Sequence, residues 1–457
     1  MEQHTTFPAP ESLAVIVNCW SDVNKGDAAI TIGVLNALKE NRVAARYSVV
    51  SYIFHPDEQS TRHSFRHVLR EHPDVDIQQP SVPAHVRSVG RLKGFLLAIR
   101  GIVKLIAPSL IRDDGMESAI RKSSLVISNG GLYFGFVKSD YAATLYHLYS
   151  FCYPMLFAFR INVPFVLYAQ SFGPFHNGIT RRWMRWLLRA SSGNWARESI
   201  SEQLLLSIGA PPSTTRTVAD AAFAVLPNSA DNHVDFDSLG LGKGSFVAVS
   251  VRQLSPTGHG DLSEQMYFDS IVATIEQLVE RTDLIIGIVS HTQGPVIEED
   301  DRIASQRVFT ALTAHAQQRT RVVNEDLSPS DLALVYGRAE LVIATRFHAA
   351  VLAICGGAPV IAIPYFGTKA QGAFRDIGIE DLLLEVQDIS PQLLYTRAMD
   401  CLNRRTELRE RIRHVARAQY ENAMQTGAWT AQIARGREAR GMNGRQTTML
   451  GQARGSE

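Results

Sequence analysis

Short runs of β-branched and aliphatic residues recur along almost the whole chain, separated by longer stretches with helical periodicity. The runs are LAVIVN (13–18), RYSVVSY (46–52), SLVIS (124–128), PFVLYAQ (164–170), FVAVSV (246–251), LIIGIVS (284–290), LVIA (341–344) and PVIAIP (359–364). Continuous apolar runs, rather than strict apolar–polar alternation, predict parallel strands buried on both faces. Their alternation with amphipathic segments predicts an α/β architecture. Between 227 and 244 the pattern lapses into PNSADNHVDFDSLGLGKG, polar and turn-rich, which reads as a linker. Each side carries its own strands, so the expectation is two Rossmann-like, doubly wound domains facing a cleft, residues 1–230 and 244–425. From Gly427 the chain is rich in Gly, Arg, Gln and Thr without apolar periodicity, and 426–457 is expected to be a disordered tail.

In open α/β sheets, ligands bind outside the carboxyl ends of the strands. The unusual polar groups of this chain fall there, strand after strand: NCWSDVNKGD after the first run, then NGG, QSFGP, VRQ, SHTQG, TRFH and PYFGTK. In NKGDAAITIGVLNALKE, Gly26 permits a tight turn and Asp27 can cap the helix that follows. A plain structural cap and a receptor for an anion or sugar hydroxyl both remain open readings. Asn129, Gly130 and Gly131 follow a strand directly, as a simple turn or as backbone donors near a ligand. Gln170 and Ser171 are hydrogen-bonding groups on the next such loop, and Arg197 reads as structural.

The second half offers Arg252, His291, Arg346, His348 and Lys369. A lone histidine near an apolar segment is more often a satisfied core residue than a catalyst. His348 is different, because it opens a helix immediately after a strand, where bound negative charge is favoured. Arg346 beside it suits bidentate recognition of carboxylate or phosphate. Lys369 follows the next strand and either reaches the same crevice or is a solvated loop charge. Two cations and a helix N-terminus predict a small, highly anionic ligand, and the imidazole supplies acid–base chemistry near neutral pH. The histidines lack metal-ligand spacing, no GxSxG nucleophile elbow occurs, and no metal or cofactor is expected.

Composition changes this picture little. A length of 457 residues suits two domains, and 45% hydrophobic with 20% charged residues is ordinary for a soluble protein. A formal charge of +1 argues against nucleic acid as the main partner. Cys19, Cys152, Cys355 and Cys401 lack metal or redox spacing, which suits reduced thiols in a cytoplasmic protein. The N-terminal segment lacks the basic and apolar regions of a signal peptide, and no 18-residue apolar run predicts a spanning helix. VRSVGRLKGFLLAIRGIVKLIAPSLIR (86–112) has the composition of a basic amphipathic interfacial helix, against the alternative of an ordinary helix packed on its own domain. YHLYSFCYPMLFAF (146–159) reads as core.

Taken in order, NKGDAAITIGVLNAL, NGG, QSFGP, ARES, VADAAF, VSVRQ, SHTQG and LALVYGRAELVIATRFHAAVLAICGGAPVIAIPYFGTKAQGAF resemble the polysaccharide pyruvyltransferase family of bacterial exopolysaccharide assembly. The resemblance spans residues 13 to 385, and its late block is the most specific part. It departs from the family in NGGLYFG, which replaces three consecutive glycines, and in the loop before NKGD. It implies two Rossmann-like domains similar to GT-B glycosyltransferases. It also implies transfer of a pyruvyl ketal from phosphoenolpyruvate to two hydroxyls of a saccharide, with phosphate released. The family's R-x-H element maps onto Arg346 and His348 as donor binder and acid, with Lys369, Arg252 and His291 also on the donor side. Asp27, Asn129, Gly130 and Gln170 would hold the acceptor. Such acceptors are usually lipid-linked, which would place the protein in the cytoplasm, at the inner face of the plasma membrane. The alternatives are a nucleotide-sugar-dependent GT-B glycosyltransferase and a non-catalytic binding subunit.

Overall fold

A computed structural model describes residues 12–84, 90–134, 141–175, 177–225, 234–242, 244–254, 261–294, 296–364 and 367–453. The strands are β1 (Leu13–Cys19), β2 (Arg46–Ser51), β3 (Asp76–Gln78), β4 (Leu125–Ser128), β5 (Gly131–Phe134), β6 (Phe165–Phe172), β7 (Gly193–Ala196) and β8 (Thr215–Thr217). They continue with β9 (Phe246–Ser250), β10 (Ile285–Val289), β11 (Thr320–Val323), β12 (Leu341–Ala344) and β13 (Val360–Ala362). All strand pairs are parallel. The first sheet runs β3-β2-β1-β4-β6-β7-β8, with β5 also on β6, and the second runs β11-β10-β9-β12-β13.

Every residue of β4, β6, β9 and β12 is buried. That is the consequence of helices covering both faces of a parallel sheet, and it explains why these strands read as unbroken apolar runs. The five strands not foreseen, β3, β5, β7, β8 and β11, are only three or four residues long. DIQ, TRT and TRVV lie at sheet edges, where one flank needs no apolar partner.

The order reverses direction between β1 and β4 in the first sheet and between β9 and β12 in the second. These are the topological switch points at which such sheets leave room for a ligand.

Two compact units hold these sheets, but they are not the consecutive stretches expected. One comprises Met1–Ser21, Val34–Asp220 and Asn422–Glu457; the other Asp22–Gly33 and Ala221–Glu421. The expected linker falls partly outside the described residues. Its portion 234–242 packs on the second unit through Leu241, which is fully buried.

The expected disordered tail is also corrected. The last helix runs Arg405–Ala453, and Thr426, Thr430, Ala431 and Ala434 are buried along it. Trp429 lies 6.3 Å from the Trp195 ring and beneath the Arg216 guanidinium. Apart from this one tryptophan, these buried positions are threonines and alanines, so apolar periodicity does not reveal the contact. Within the described residues, no helix is long and apolar enough to cross a membrane.

Candidate functional site

The second unit concentrates its buried charge at the β9/β12 switch point. After β12 only Thr345 and Arg346 precede the helix Phe347–Cys355, and Arg346 is its N-cap residue. Thr345 donates its N–H to the Ser250 carbonyl at 3.0 Å, tying this loop to the end of β9. Arg252, two residues past β9, is buried beside it.

Arg346 does not present an empty fork. Its Nε lies 3.2 and 3.1 Å from the Asp301 carboxylate oxygens and its Nη2 lies 2.7 Å from Oδ1. Its Nη1 donates to Glu299 Oε2 at 3.0 Å, and Nη2 to the Glu299 carbonyl at 2.9 Å. Asp301 also accepts the Thr292 N–H at 2.9 Å. Burial pushes the Asp301 carboxyl above its ordinary range, against the opposing pull of Arg346. Removing one member of such a buried pair costs roughly 3–5 kcal/mol, because the other is left charged and unpaired.

Glu299 is the exception to burial, with its side chain 40% exposed. Its carboxylate bridges two cations, Arg346 at 3.0 Å and Arg252 Nη2 at 3.7 Å. An anion seat therefore exists, and the chain's own carboxylate sits in it.

His291 follows β10 and is fully buried, with neither ring nitrogen hydrogen-bonded among the described residues. Burial, reinforced by the positive charges of Arg346, His348 and Lys25, holds its pKa well below the ordinary histidine value. It is a neutral imidazole, not the donor-side cation expected from the sequence. Leaving a buried polar ring unpaired costs about 1–3 kcal/mol, which a hydrogen-bonding ligand would recover.

His348 is the second residue of its helix and half-buried. Gly26 packs on its ring so closely that a Cβ there would lie 2.4 Å from His348 Nδ1. This explains the glycine of NKGD: any side chain would displace the imidazole.

Asp27 was expected on the acceptor side, in the other domain, as a helix cap. The structure corrects both points. Asp27 is the third residue of the helix Lys25–Glu40, and it is Asn24 whose side chain accepts the Gly26 N–H, at 3.0 Å. The segment Asp22–Gly33 belongs to the second unit. It is fastened there by the Asn24–Thr292 bridge, by Lys25 N–H to the His291 carbonyl at 3.3 Å and by Gln293 N–H to the Val23 carbonyl at 2.9 Å.

Lys25, which the sequence reading passed over, is fully buried, pairs with the Asp326 carboxylate and donates to the Asp22 carbonyl at 3.0 Å. Lys369 lies in the first turn of the helix Gly367–Asp376, and its side chain lies outside the described residues.

The first unit has its own polar cluster at the β1/β4 switch point. The Gln170 amide donates to Ser128 Oγ, the Ser128 carbonyl and the Asn129 carbonyl at 2.8, 3.1 and 2.7 Å. Its Oε1 is buried without a partner among the described residues. Asn18, at φ 64°, donates to Ser128 Oγ at 3.2 Å. Gly130 is buried between Asn129 and β5. Arg197 is paired with Asp220 at 2.8 Å and donates to Ser171 Oγ at 2.7 Å.

Glu299, Asp301 and Asp326 were missed as well. Glu299 and Asp301 lie in VIEEDDRIASQRV, where consecutive acids read as a solvated face. Only the buried arginines opposite give them a role.

Comparison with known proteins bears on the family and the fold. The sequence model of the polysaccharide pyruvyl transferase family matches residues 24–366. The amylovoran biosynthesis protein AmsJ of Erwinia amylovora is 22% identical over 407 residues, covering 85% of this chain and 92% of AmsJ. Among solved structures, Anabaena HepE in complex with UDP-glucose superposes with a TM-score of 0.53 at 14% identity, covering 93% of this chain and 99% of that one. A glycosyltransferase from Rickettsia africae gives 0.56 at 12% identity, with coverage of 93% and 99%. The Methanocaldococcus jannaschii UDP-GlcNAc 2-epimerase gives 0.52 at 13%, with coverage of 86% and 93%. These likenesses show the fold, two Rossmann-like units of GT-B type.

Proposed function

Because the chain belongs to the polysaccharide pyruvyl transferase family, we propose that it moves a pyruvyl group from phosphoenolpyruvate onto two hydroxyls of a saccharide, forming a cyclic ketal in exopolysaccharide biosynthesis. The observation that supports this most is the pair of buried arginines, Arg252 and Arg346, bridged by one half-exposed carboxylate beside His348. Phosphoenolpyruvate carries a carboxylate and a phosphate on three carbons. One of these anionic groups takes the place of the Glu299 carboxylate between the arginines, and the partly exposed glutamate swings out at small cost.

His348 protonates the methylene carbon of the enol, and the former double-bond pair becomes the new C–H bond. The adjacent carbon becomes oxocarbenium-like and is attacked by the first saccharide hydroxyl, whose proton returns to the histidine. The carbon–phosphate oxygen bond then breaks. The second hydroxyl adds to the same carbon, and its proton leaves with inorganic phosphate. A positioned acid of this kind contributes typically about 10²–10⁴-fold to rate. His291, neutral and buried, offers an N–H to the donor; Lys25 and Lys369 supply further positive charge for the departing phosphate. Asn129, Gly130 and Gln170 suit sugar hydroxyls, since the free Gln170 Oε1 accepts and the backbone donates.

The test is incubation of the protein with phosphoenolpyruvate and candidate saccharides, lipid-linked and free, reading phosphate release and product mass. Thermal stabilisation by phosphoenolpyruvate and not by nucleotide-sugars is expected. Stabilisation by nucleotide-sugars alone, without phosphate release, overturns the reading in favour of a glycosyltransferase. No response to either class leaves a non-catalytic binding subunit.

A further inference from the structure

The helix Arg91–Ile106 is packed inside out. An ordinary surface helix turns its large apolar residues to the core. Here the buried positions include Gly94, Ala98 and Gly101. Ala98 accepts a hydrogen bond from the Tyr149 hydroxyl at 3.0 Å through its carbonyl, and a Cβ on Gly101 would lie 2.4 Å from that same hydroxyl. The opposite face carries Leu92, Phe95, Leu96, Ile99, Ile102 and Ile106, exposed by 73, 59, 56, 41, 47 and 72%, and Leu110 follows at 76%. Their spacing of three and four residues puts them on one stripe. Small residues on the inside let the helix lie close to its neighbour, so the large ones are left facing solvent by construction.

The last turn of the helix Tyr141–Arg160 leads from this face to a second one. Arg160 Nε donates to the Leu105 carbonyl at 3.1 Å, and Phe159 packs edge-on to Trp186 at 5.2 Å. Trp186 and Ile179 are exposed on the helix Gly178–Ala190 and line an apolar groove with Leu156 and Trp183. An exposed apolar surface of this extent marks an interaction site.

Charge identifies the occupant. No aspartate or glutamate occurs from 77 to 112 or from 141 to 197. On the inward side of the first helix, Arg100 is neutralised by Glu117 and Lys104 by Asp113. Among the described residues, exposed Lys93, Arg112, Arg160, Arg181 and Arg182 have no acidic partner. Apolar side chains flanked by uncompensated lysine and arginine fit the headgroup–acyl boundary of an anionic bilayer. We infer that this unit docks on a membrane containing anionic phospholipid through the outward face of Arg91–Ile106, assisted by the arginines of Gly178–Ala190. The inference does not depend on the donor chemistry proposed above.

Flotation of the full chain with vesicles of phosphatidylglycerol and phosphatidylcholine, against phosphatidylcholine alone, tests it. The protein is expected to float with the anionic vesicles and far less with the neutral ones. F95E/I99E should lose on the order of tenfold or more of the binding, since each change removes buried apolar contact and adds a repelled charge. R181Q/R182Q should weaken binding several-fold and flatten its salt dependence. Both double variants change only exposed side chains, so unchanged melting temperatures separate lost docking from lost fold. Equal binding by wild type and F95E/I99E overturns the proposal. So does failure to float when light scattering shows a dimer that F95E/I99E converts to a monomer, because a second copy then covers the face.

Discussion

Glu299 is half-exposed, yet its carboxylate reaches two buried arginines, 3.0 Å from Arg346 and 3.7 Å from Arg252. Asp301 differs: it is fully buried and doubly bonded to the same guanidinium. The two acids therefore have separate jobs. Asp301 orients Arg346, whereas Glu299 occupies the seat that the proposed anionic donor would take. E299Q is expected to lower the KM for phosphoenolpyruvate by up to about fivefold with kcat little changed, since a partly exposed pair is worth up to about 1 kcal/mol. Steady-state phosphate release checks this; an unchanged or higher KM would mean that Glu299 is purely structural. H348Q is expected to reduce kcat by roughly 10²–10⁴-fold while leaving the melting temperature nearly unchanged, as loss of a general acid would. Near-normal turnover would remove the acid assignment.

At the scale of elements, close backbone approaches decide how the helices sit, and glycines mark them. A Cβ on Gly26 would meet the His348 ring at 2.4 Å, so the first turn of the helix Lys25–Glu40 lies against that ring only because residue 26 lacks a side chain. Gly356 and Gly337 allow a similar approach between Pro329–Arg338 and Phe347–Cys355, with a Cβ on Gly356 only 2.3 Å from the Ala333 carbonyl. Gly427 does the same for the last helix, where a Cβ would stand 2.4 Å from the Ala37 carbonyl. G427V is thus expected to destabilise by about 1–3 kcal/mol, the usual range for overpacking, and to lower the melting temperature. A disordered tail would tolerate valine there, so no change in melting would contradict the packed helix.

At the scale of the whole molecule, the buried site couples folding to pH. His291 is neutral when folded because burial and neighbouring cations depress its pKa well below the ordinary value of 6.5. Unfolding frees it to bind a proton at that ordinary value. Its contribution to stability is therefore complete above about pH 6.5 and is lost progressively as pH falls toward the folded value, at up to about 1.4 kcal/mol per pH unit. Melting temperatures measured from pH 8 to 5 should fall below pH 6.5, and H291Q should flatten that fall. An identical profile in H291Q would place the acid sensitivity elsewhere.

What the sequence determined by itself was the class of fold and the strand ends at which its polar groups gather. Strands buried on both faces are mostly apolar, so β1, β2, β4, β6, β9, β10, β12 and β13 announce themselves, and the polar residues at and beyond their carboxyl ends stand out. Arg346, His348, Arg252 and His291 stand out in the sequence for that reason, and the structure sets Arg346 and Arg252 on one carboxylate. Tertiary structure alone decided what those groups face. It placed Lys25 and Gly26 in the second unit, set Glu299 and Asp301 against Arg346, and left His291 neutral. It also showed which face of Arg91–Ile106 is outward, because an amphipathic pattern gives a helix two faces but does not say which one the core receives. Desolvation and pairing depend on residues brought together from distant parts of the chain, and periodicity along the sequence carries no record of them.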